Sequence, residues 1–438
     1  MLFCDIDVLT PNIGVAHHQW VGVEGAHVTY IGAEEPEEAD RFGRRYGGRG
    51  KLLMPACYNT HAHTPMTLLR GYAEDQPLQR WLNDTVWPFE GKMAEADNYW
   101  GCMLAQAEMA RYGVVSCTDM YFATPLRAKA TLEAGMKANH CDGATMCFVD
   151  SDYDTLPVAE TNRILFEEYQ GAGDGRVKIE MCIHAEYTTP ESMVRRVVEE
   201  AHKHECGIHL HMSETRSEHE ECQQRHGGMT PAAYFESCGV FDVPCNAAHC
   251  VWVTDDDIRI LAEHGVNVSL NPASNMKLAS GFAPVQRMLD AGVNLSLGTD
   301  GMASNNTHNL LQSAYLLACG QKGNALDPTV VPCKEVIRML TTGGAHAQGR
   351  EDCGTVEVGK RADLVVMDVA TPWMRPVHSM AVNLLYSANA ADICLTMCDG
   401  RVIYEDGTWP TIDVERVAFE CERSIDAILA ALAAGEQV

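Results

Sequence analysis

No stretch of the 438 residues reaches the roughly 20 consecutive apolar residues that a membrane-spanning helix requires. The opening twelve residues, MLFCDIDVLTPN, carry Asp5 and Asp7 and no basic run ahead of an apolar one, so they do not read as a secretory signal. Positive charge is scarce: 33 Lys and Arg stand against 60 Asp and Glu, a formal net charge of −27. A surface this acidic repels phosphate backbones and anionic lipid, which argues against nucleic-acid and membrane partners. Low-complexity tracts, internal repeats and Cys-x-x-Cys pairs are also missing. The 18 cysteines are scattered from Cys4 to Cys421, and Cys117, Cys182 and Cys250 fall inside apolar runs. Without a secretory signal, they read as reduced, structural residues of a cytoplasmic protein.

What is present is the composition of a globular protein, 46% hydrophobic and 21% charged, long enough for two or three domains and a large core. The first fifty residues read as short strands and turns, with AHHQWVGVEGAHVTYIGA as a hairpin. From about residue 52, short apolar runs alternate with longer amphipathic segments. The runs begin at residues 52, 113, 144, 177, 207, 246, 265 and 292. Pro190 opens one intervening helix; Thr254 with Asp257, then Gly265, bracket another. Eight such units predict an α/β architecture, a (β/α)8 barrel over residues 55–350. Near residue 354 the texture returns to strands and tight turns. Residues 1–54 and 351–438 are therefore expected to form a small β-sandwich domain together, with a terminal helix.

In a (β/α)8 barrel, functional side chains collect at the C-terminal ends of the strands. The first strand ends in His61 and His63, which share a face because a strand repeats every two residues. The fourth ends in His184, the fifth in His209, His211 and Glu214, the sixth in His249 and the eighth in Asp300. Each alone has a plain explanation as a core histidine or a turn aspartate. Together they put three imidazoles and a carboxylate at one barrel mouth, a donor set that suits zinc and also iron or manganese. His202, His204, His219, His226 and His264 fall on predicted helices among charged neighbours and read as solvated; His17 and His18 fall in the small domain.

The segments NTHAHTPMTLLRG, HLHMSET, AAHC, NPASNMKLASGFAPV, LGTDGMASNN and GTVEVGKRADLVVMD resemble the motifs of the amidohydrolase superfamily. The strongest resemblance is to its methylthioadenosine/S-adenosylhomocysteine deaminases, and it spans nearly the whole chain. The resemblance implies one divalent metal per subunit, zinc first, on His61, His63, His211 and Asp300. It implies Glu214, His249 and Asp300 as catalytic groups, and Glu90 and His184 as ribose contacts. Trp87 and Ser304 are placed near the substrate by their neighbours Glu90 and Asp300. The implied reaction is hydrolytic deamination of a nucleoside. Two features depart from the family pattern. Ala56 and Cys57 stand where glycine and an aliphatic residue are usual. Relatives that take S-adenosylhomocysteine hold its carboxylate with arginine, yet SDYDTLPVAETNRIL offers only Arg163, offset on a predicted helix. The expectation therefore leans to 5′-methylthioadenosine, 5′-deoxyadenosine or adenosine. Hydrolysis of another aromatic heterocycle, such as a triazine or guanine, is the alternative, and a non-catalytic scaffold the remote one. A homo-oligomer is expected, with the apolar WLNDTVWP segment either covering the site or packing against another subunit.

Overall fold

The computed structural model describes residues 1–76, 80–143 and 150–435. The N-terminal segment supplies strands β1 (Leu2–Leu9), β2 (Val15–Glu24), β3 (His27–Gly32), β4 (Arg45–Gly47) and β5 (Lys51–Pro55). Ten further strand segments follow: β6 (Cys57–His63), β7 (Val114–Tyr121), β8 (Lys137–Asp142), β9 (Val177–Ile179) and β10 (Met181–Ile183), then β11 (Ile208–Met212), β12 (Cys245–His249), β13 (Asn267–Leu270), β14 (Leu295–Leu297) and β15 (Asp300–Gly301). The C-terminal segment adds β16 (Leu364–Asp368), β17 (Ile393–Cys398) and β18 (Arg401–Glu405).

Segments β6 to β15 form two parallel arcs, β15-β6-β7-β8-β9 and β10-β11-β12-β13-β14. Two short interruptions weld the arcs into a closed barrel. Glu180, between β9 and β10, donates its N–H to His140 O at 2.9 Å, and Met181 donates to Gly207 O at 2.9 Å. Between β14 and β15, Gly298 donates to Leu270 O at 2.9 Å and Thr299 to His61 O at 3.0 Å. Counted this way the barrel has eight parallel strands with helices outside, such as Glu191–His204 and Asp255–Glu263. Thr254 caps the second by accepting from Asp257 N–H, and Gly265 ends it at φ +64°.

The two chain ends meet in an eight-stranded sheet, ordered β18-β17-β16-β5-β1-β2-β3 with β4 on β1. Residue alternation decides its two faces. Leu53, Leu364, Val366, Leu395 and Met397 close over one core with Phe3, Ile6 and Val21, so the sheet curls into the layers of a sandwich. Leu52, Met54, Val365 and Met367 point the other way, into the core of the barrel. Burial on both faces explains why KLLMP and LVVMD are continuous apolar runs rather than alternating ones. Among the described residues, no helix is long and apolar enough to cross a membrane.

Two expectations about strands need correction. The run at Leu52 belongs to the small sheet, and the first barrel strand starts at Cys57. The apolar run expected as the third strand, 144–150, lies outside the described residues except for Asp150; the strand between β7 and β9 is Lys137–Asp142. Its sequence, KANHCD, looks too polar for a buried strand. The polarity is satisfied internally: His140 Nδ1 lies 3.1 Å from the Arg127 guanidinium, which also bonds Asp119 Oδ2 at 2.5 Å.

Candidate active site

The strand ends converge. His61 and His63 leave β6 with their Nε2 atoms 3.3 and 3.2 Å from Asp300 Oδ1 on β15, and His211 Nε2 on β11 lies 3.4 Å from His63 Nε2. An ion held tetrahedrally by donors about 2.0–2.1 Å away has donor–donor edges of roughly 3.3–3.4 Å. Three edges among these four side chains thus match the spacing of a coordination sphere, and the ligand atoms of His61, His63 and His211 all lie within 4.8 Å of one another. His61 Nε2 is buried and makes no hydrogen bond, an expensive state for a ring nitrogen unless a cation takes it up. The donor set and that orphaned atom fit a divalent metal.

Each ligand-type group is held from behind. His63 Nδ1 donates to Met120 O at 2.5 Å and His211 Nδ1 to His184 O at 2.7 Å, which leaves the two Nε2 atoms facing each other at 3.4 Å, with that of His63 also against Asp300. His61 Nδ1 lies 2.8 Å from His209 Nε2. Ser274 and Ser304 donate to Asp300 Oδ2 at 2.6 and 3.1 Å, so Oδ1 is the oxygen turned to the histidines. Burial pushes His61 down to about 4 and His211 well below the usual imidazole range, so both stay neutral. Burial opposes charge at His63 too, but the Asp300 carboxylate and Met120 carbonyl outweigh it and lift His63 to about 9. For Asp300, burial acts upward, and the His61 and His63 rings packed against it hold it well below the carboxylate range.

The backbone at these ends is unusual. His249 and Asp300 adopt φ +76° and +62°, and Ser213, just past His211, adopts φ +48°. Side chains other than glycine avoid this region, and strain of this kind gathers at functional sites. The surroundings over-determine it. Glu218 accepts from Ser213 N–H at 2.9 Å and Glu214 N–H at 2.7 Å, fixing the turn that carries Glu214. Asn275 Oδ1 lies 2.9 Å from His249 Nδ1. Gly298 leaves the space that His61 fills: a Cβ there would meet Asn271 Oδ1 at 2.3 Å and His61 Cβ at 2.8 Å.

Glu214 stands beside the metal-type cluster without joining it, with Oε2 3.8 Å from His249 Nε2. Burial raises its proton affinity. Both line a cavity of about 840 Å³ that also reaches His63, His184, His211 and Asp300. The same cavity is lined by Glu90, whose Oε1 accepts from Tyr121 OH at 2.5 Å. Burial lifts Glu90 to about 7 against the opposing Tyr121 bond and His63 charge. His184 Nδ1 lies 3.1 Å from Thr188 Oγ1, and burial pushes this ring down to about 3. Trp81, Leu82, Val86 and Trp87 wall the cavity, so WLNDTVWP covers the site.

Three sequence readings change here. Ser304 is buried behind Asp300 and supports that carboxylate instead of facing the cavity. His219 is buried at 8% exposure, with Nδ1 3.3 Å from Ser213 Oγ. His226 is half-buried, pairs with Glu186 at 2.6 Å and stacks on Tyr234. The sequence reading assigned no role to Tyr121, Glu218 or Asn275. Asn275 lies inside a segment singled out as a motif; Tyr121 ends a strand, which was the available signal for it.

A closed (β/α)8 barrel with a His-x-His first strand, a second pair of strand-end histidines and an aspartate on the last strand defines a class, and the chain belongs to it: the pattern of the amidohydrolase family matches residues 52–403. Within that family, the chain is 40% identical over 378 residues to a 5-methylthioadenosine/S-adenosylhomocysteine deaminase of Dictyoglomus thermophilum, covering 86% of this chain and 87% of the relative. It is 38% identical over 422 residues to a 5′-deoxyadenosine deaminase of Methanosarcina acetivorans, covering 96% of each. The crystal structure of an adenosine deaminase from Xanthomonas campestris, with bound zinc, superposes with a TM-score of 0.90 at 29% identity, covering 98% of both chains.

Proposed function

We propose that this protein is an aminohydrolase that replaces the C6 amine of a 5′-substituted adenosine with oxygen, releasing ammonia and leaving the inosine analogue. The candidate substrates are 5′-methylthioadenosine, 5′-deoxyadenosine and adenosine, with S-adenosylhomocysteine last. One observation carries the reading: a single cavity is lined both by Glu214 beside the metal-type cluster and by Glu90, so a base and its sugar can be held at once. The names of the relatives support the same chemistry.

His61, His63, His211 and Asp300 would hold one divalent ion, zinc in the first instance. When bound, it supplies Lewis-acid activation of a water at neutral pH. Asp300 Oδ1 takes the proton that the attacking water sheds. His249, its Nδ1 held by Asn275, orients that water through Nε2 and steadies the charge that develops at C6. Burial raises the proton affinity of Glu214, which suits it to give a proton to N1 as the water oxygen adds to C6. The ionised Glu214 then takes the proton of the added hydroxyl and passes it to the exocyclic nitrogen; C6–O becomes a carbonyl, the C6–N6 bond breaks, ammonia leaves, and the proton held by Asp300 returns to Glu214. Glu90 accepts from the vicinal diol of the ribose, and His184 faces the sugar from the opposite wall. Trp81 and Trp87 exclude bulk water over the base.

The test is loss of adenine absorbance across a panel of 5′-substituted adenosines, with guanine and a chlorotriazine as controls. Turnover of adenosines well above both controls is expected. Faster turnover of either control than of every adenosine would overturn the assignment.

A further inference from the structure

Away from the barrel mouth, the described residues bring one more set of metal-type side chains together. Glu186, Cys222 and His226 each offer one donor atom, and the three atoms lie within 4.8 Å of one another. None of the three lines the active-site cavity. They come from two elements. Glu186 opens the short turn Glu186–Thr188 that follows β10, Cys222 lies on the helix Arg216–Arg225, and His226 ends that helix. His226 N–H still bonds Cys222 O at 2.9 Å, so the helical spacing holds. Residues four apart share one face of a helix, which brings the thiol and the ring to the carboxylate together. The Glu186 side chain is 1% exposed and Cys222 is fully buried, while the His226 side chain is 21% exposed and leaves a cation a way in.

Two of the groups now answer each other. His226 Nε2 lies 2.6 Å from Glu186 Oε1, and Arg225 holds Oε2 at 2.6 Å and Oε1 at 3.0 Å. Arg225 also reaches Glu221 at 3.2 Å, so its charge stays paired when Oε1 turns to another partner. The Cys222 thiol donates to Met229 O at 3.5 Å, and burial with the Glu186 carboxylate beside it pushes the thiol up. A bound divalent cation reverses that balance, because it is the charge that lets a thiolate lie against a carboxylate.

We propose that Glu186, Cys222 and His226 form a second metal site that takes zinc or another thiophilic divalent ion, independent of the cluster on His61, His63, His211 and Asp300. On binding, the Cys222 S–H bond breaks, its proton goes to solvent and a metal–sulfur bond forms, with no change of oxidation state. The carboxylate and the ring part from 2.6 Å to the edge of about 3.3 Å that a tetrahedral ion requires, and water fills the fourth position on the open His226 side. Thiolate and imidazole together select zinc, cobalt or cadmium over magnesium and calcium. The ion staples the turn to the helix. Tyr187 on that turn lines the active-site cavity, and Glu218 on that helix accepts from the backbone that carries Glu214.

The cluster at the barrel mouth offers only nitrogen and oxygen, so a sulfur-to-cobalt charge-transfer band reports the second site alone. Metal-free full-length protein is titrated with Co2+ in thiol-free buffer, and the bound metal is counted. Uptake of about two ions per chain is expected, with the near-ultraviolet sulfur band present. Cys222→Ser should remove the band and hold uptake at about one ion. His226→Gln, at the part-exposed position, should weaken the binding that gives the band by about tenfold or more even if the serine variant folds poorly. Cys319→Ser, which removes an exposed thiol, should leave both readings as they were. No sulfur band in the unaltered protein overturns the inference, as does a band or a second ion that survives Cys222→Ser, a band that His226→Gln does not weaken, or one that Cys319→Ser abolishes. Neither reading depends on which substrate the enzyme takes.

Discussion

Two carboxylates divide the work of the cavity, and their environments show how. Glu214 is buried beside His249, and burial raises its proton affinity, which suits the proton transfer proposed for it. Glu214→Gln removes the proton and leaves the shape. It should retain the metal and lower kcat by about 10²–10⁴, with KM changed little; metal analysis and steady-state kinetics read both, and turnover at the unaltered rate would sink the mechanism. Glu90 has the opposite requirement, since only its charged form accepts two hydrogen bonds from a diol. Burial has lifted it to about 7, so it is charged above that pH and neutral below it. KM for nucleosides should therefore be flat on the alkaline side and rise as pH falls below about 7, by up to tenfold per unit. Glu90→Gln should raise KM and abolish that acid arm, while free adenine shows no such arm in either protein. At this scale the sequence was informative where chemistry repeats with a strand's period. His61 and His63 share a face, and HLH repeats the pattern on β11. It was silent where a residue acts on backbone: nothing in RSEHEECQQR marks Glu218 as the clamp of the turn before it.

At the scale of elements, the active groups sit where strands stop being strands. Ser213, His249 and Asp300 all turn into the left-handed region within a residue or two of a strand end, so their side chains face inward at the barrel mouth. Gly298 serves the same junction by leaving room for His61. Gly298→Ala should push His61 off the cluster, lowering metal occupancy and reducing activity about 100-fold, for a loss of about 1–3 kcal/mol in stability; metal content with full-length folding intact separates this from general collapse. The alternation of strand and helix was legible because apolar runs and capped helices alternate. The third strand was not. Lys137, Asn139, His140 and Asp142 disguise it, and their partners come from far along the chain: Lys137 Nζ meets Asp363 Oδ2 at 2.5 Å and Asp399 Oδ1 at 2.7 Å. A local reading of polarity fails wherever a buried charge is answered from elsewhere in the fold.

That same lysine belongs to the scale of the whole molecule, because it bolts the barrel to the sheet made by the chain ends. Tyr58 OH also donates to Asp363 Oδ2, at 2.7 Å, and Trp409 Nε1 donates to Ala107 O at 2.7 Å across the same boundary. Lys137→Met strands the buried Asp363 carboxylate, while Asp399 keeps Arg361, and should destabilise the protein by about 3–5 kcal/mol in urea unfolding, with KM and metal content measured below the transition unchanged. That the two ends fold together was readable only as a likeness of texture; the registers that join them, Leu53 opposite Val366 among them, are long-range facts.

That pairing has a consequence in time. Leu53 leaves the ribosome some 310 residues before Val366, a delay of roughly 15–60 s at 5–20 residues per second. Throughout it β5 has an unpaired edge and apolar side chains on both faces, so this stretch is exposed to aggregation during synthesis although it carries none of the site's side chains.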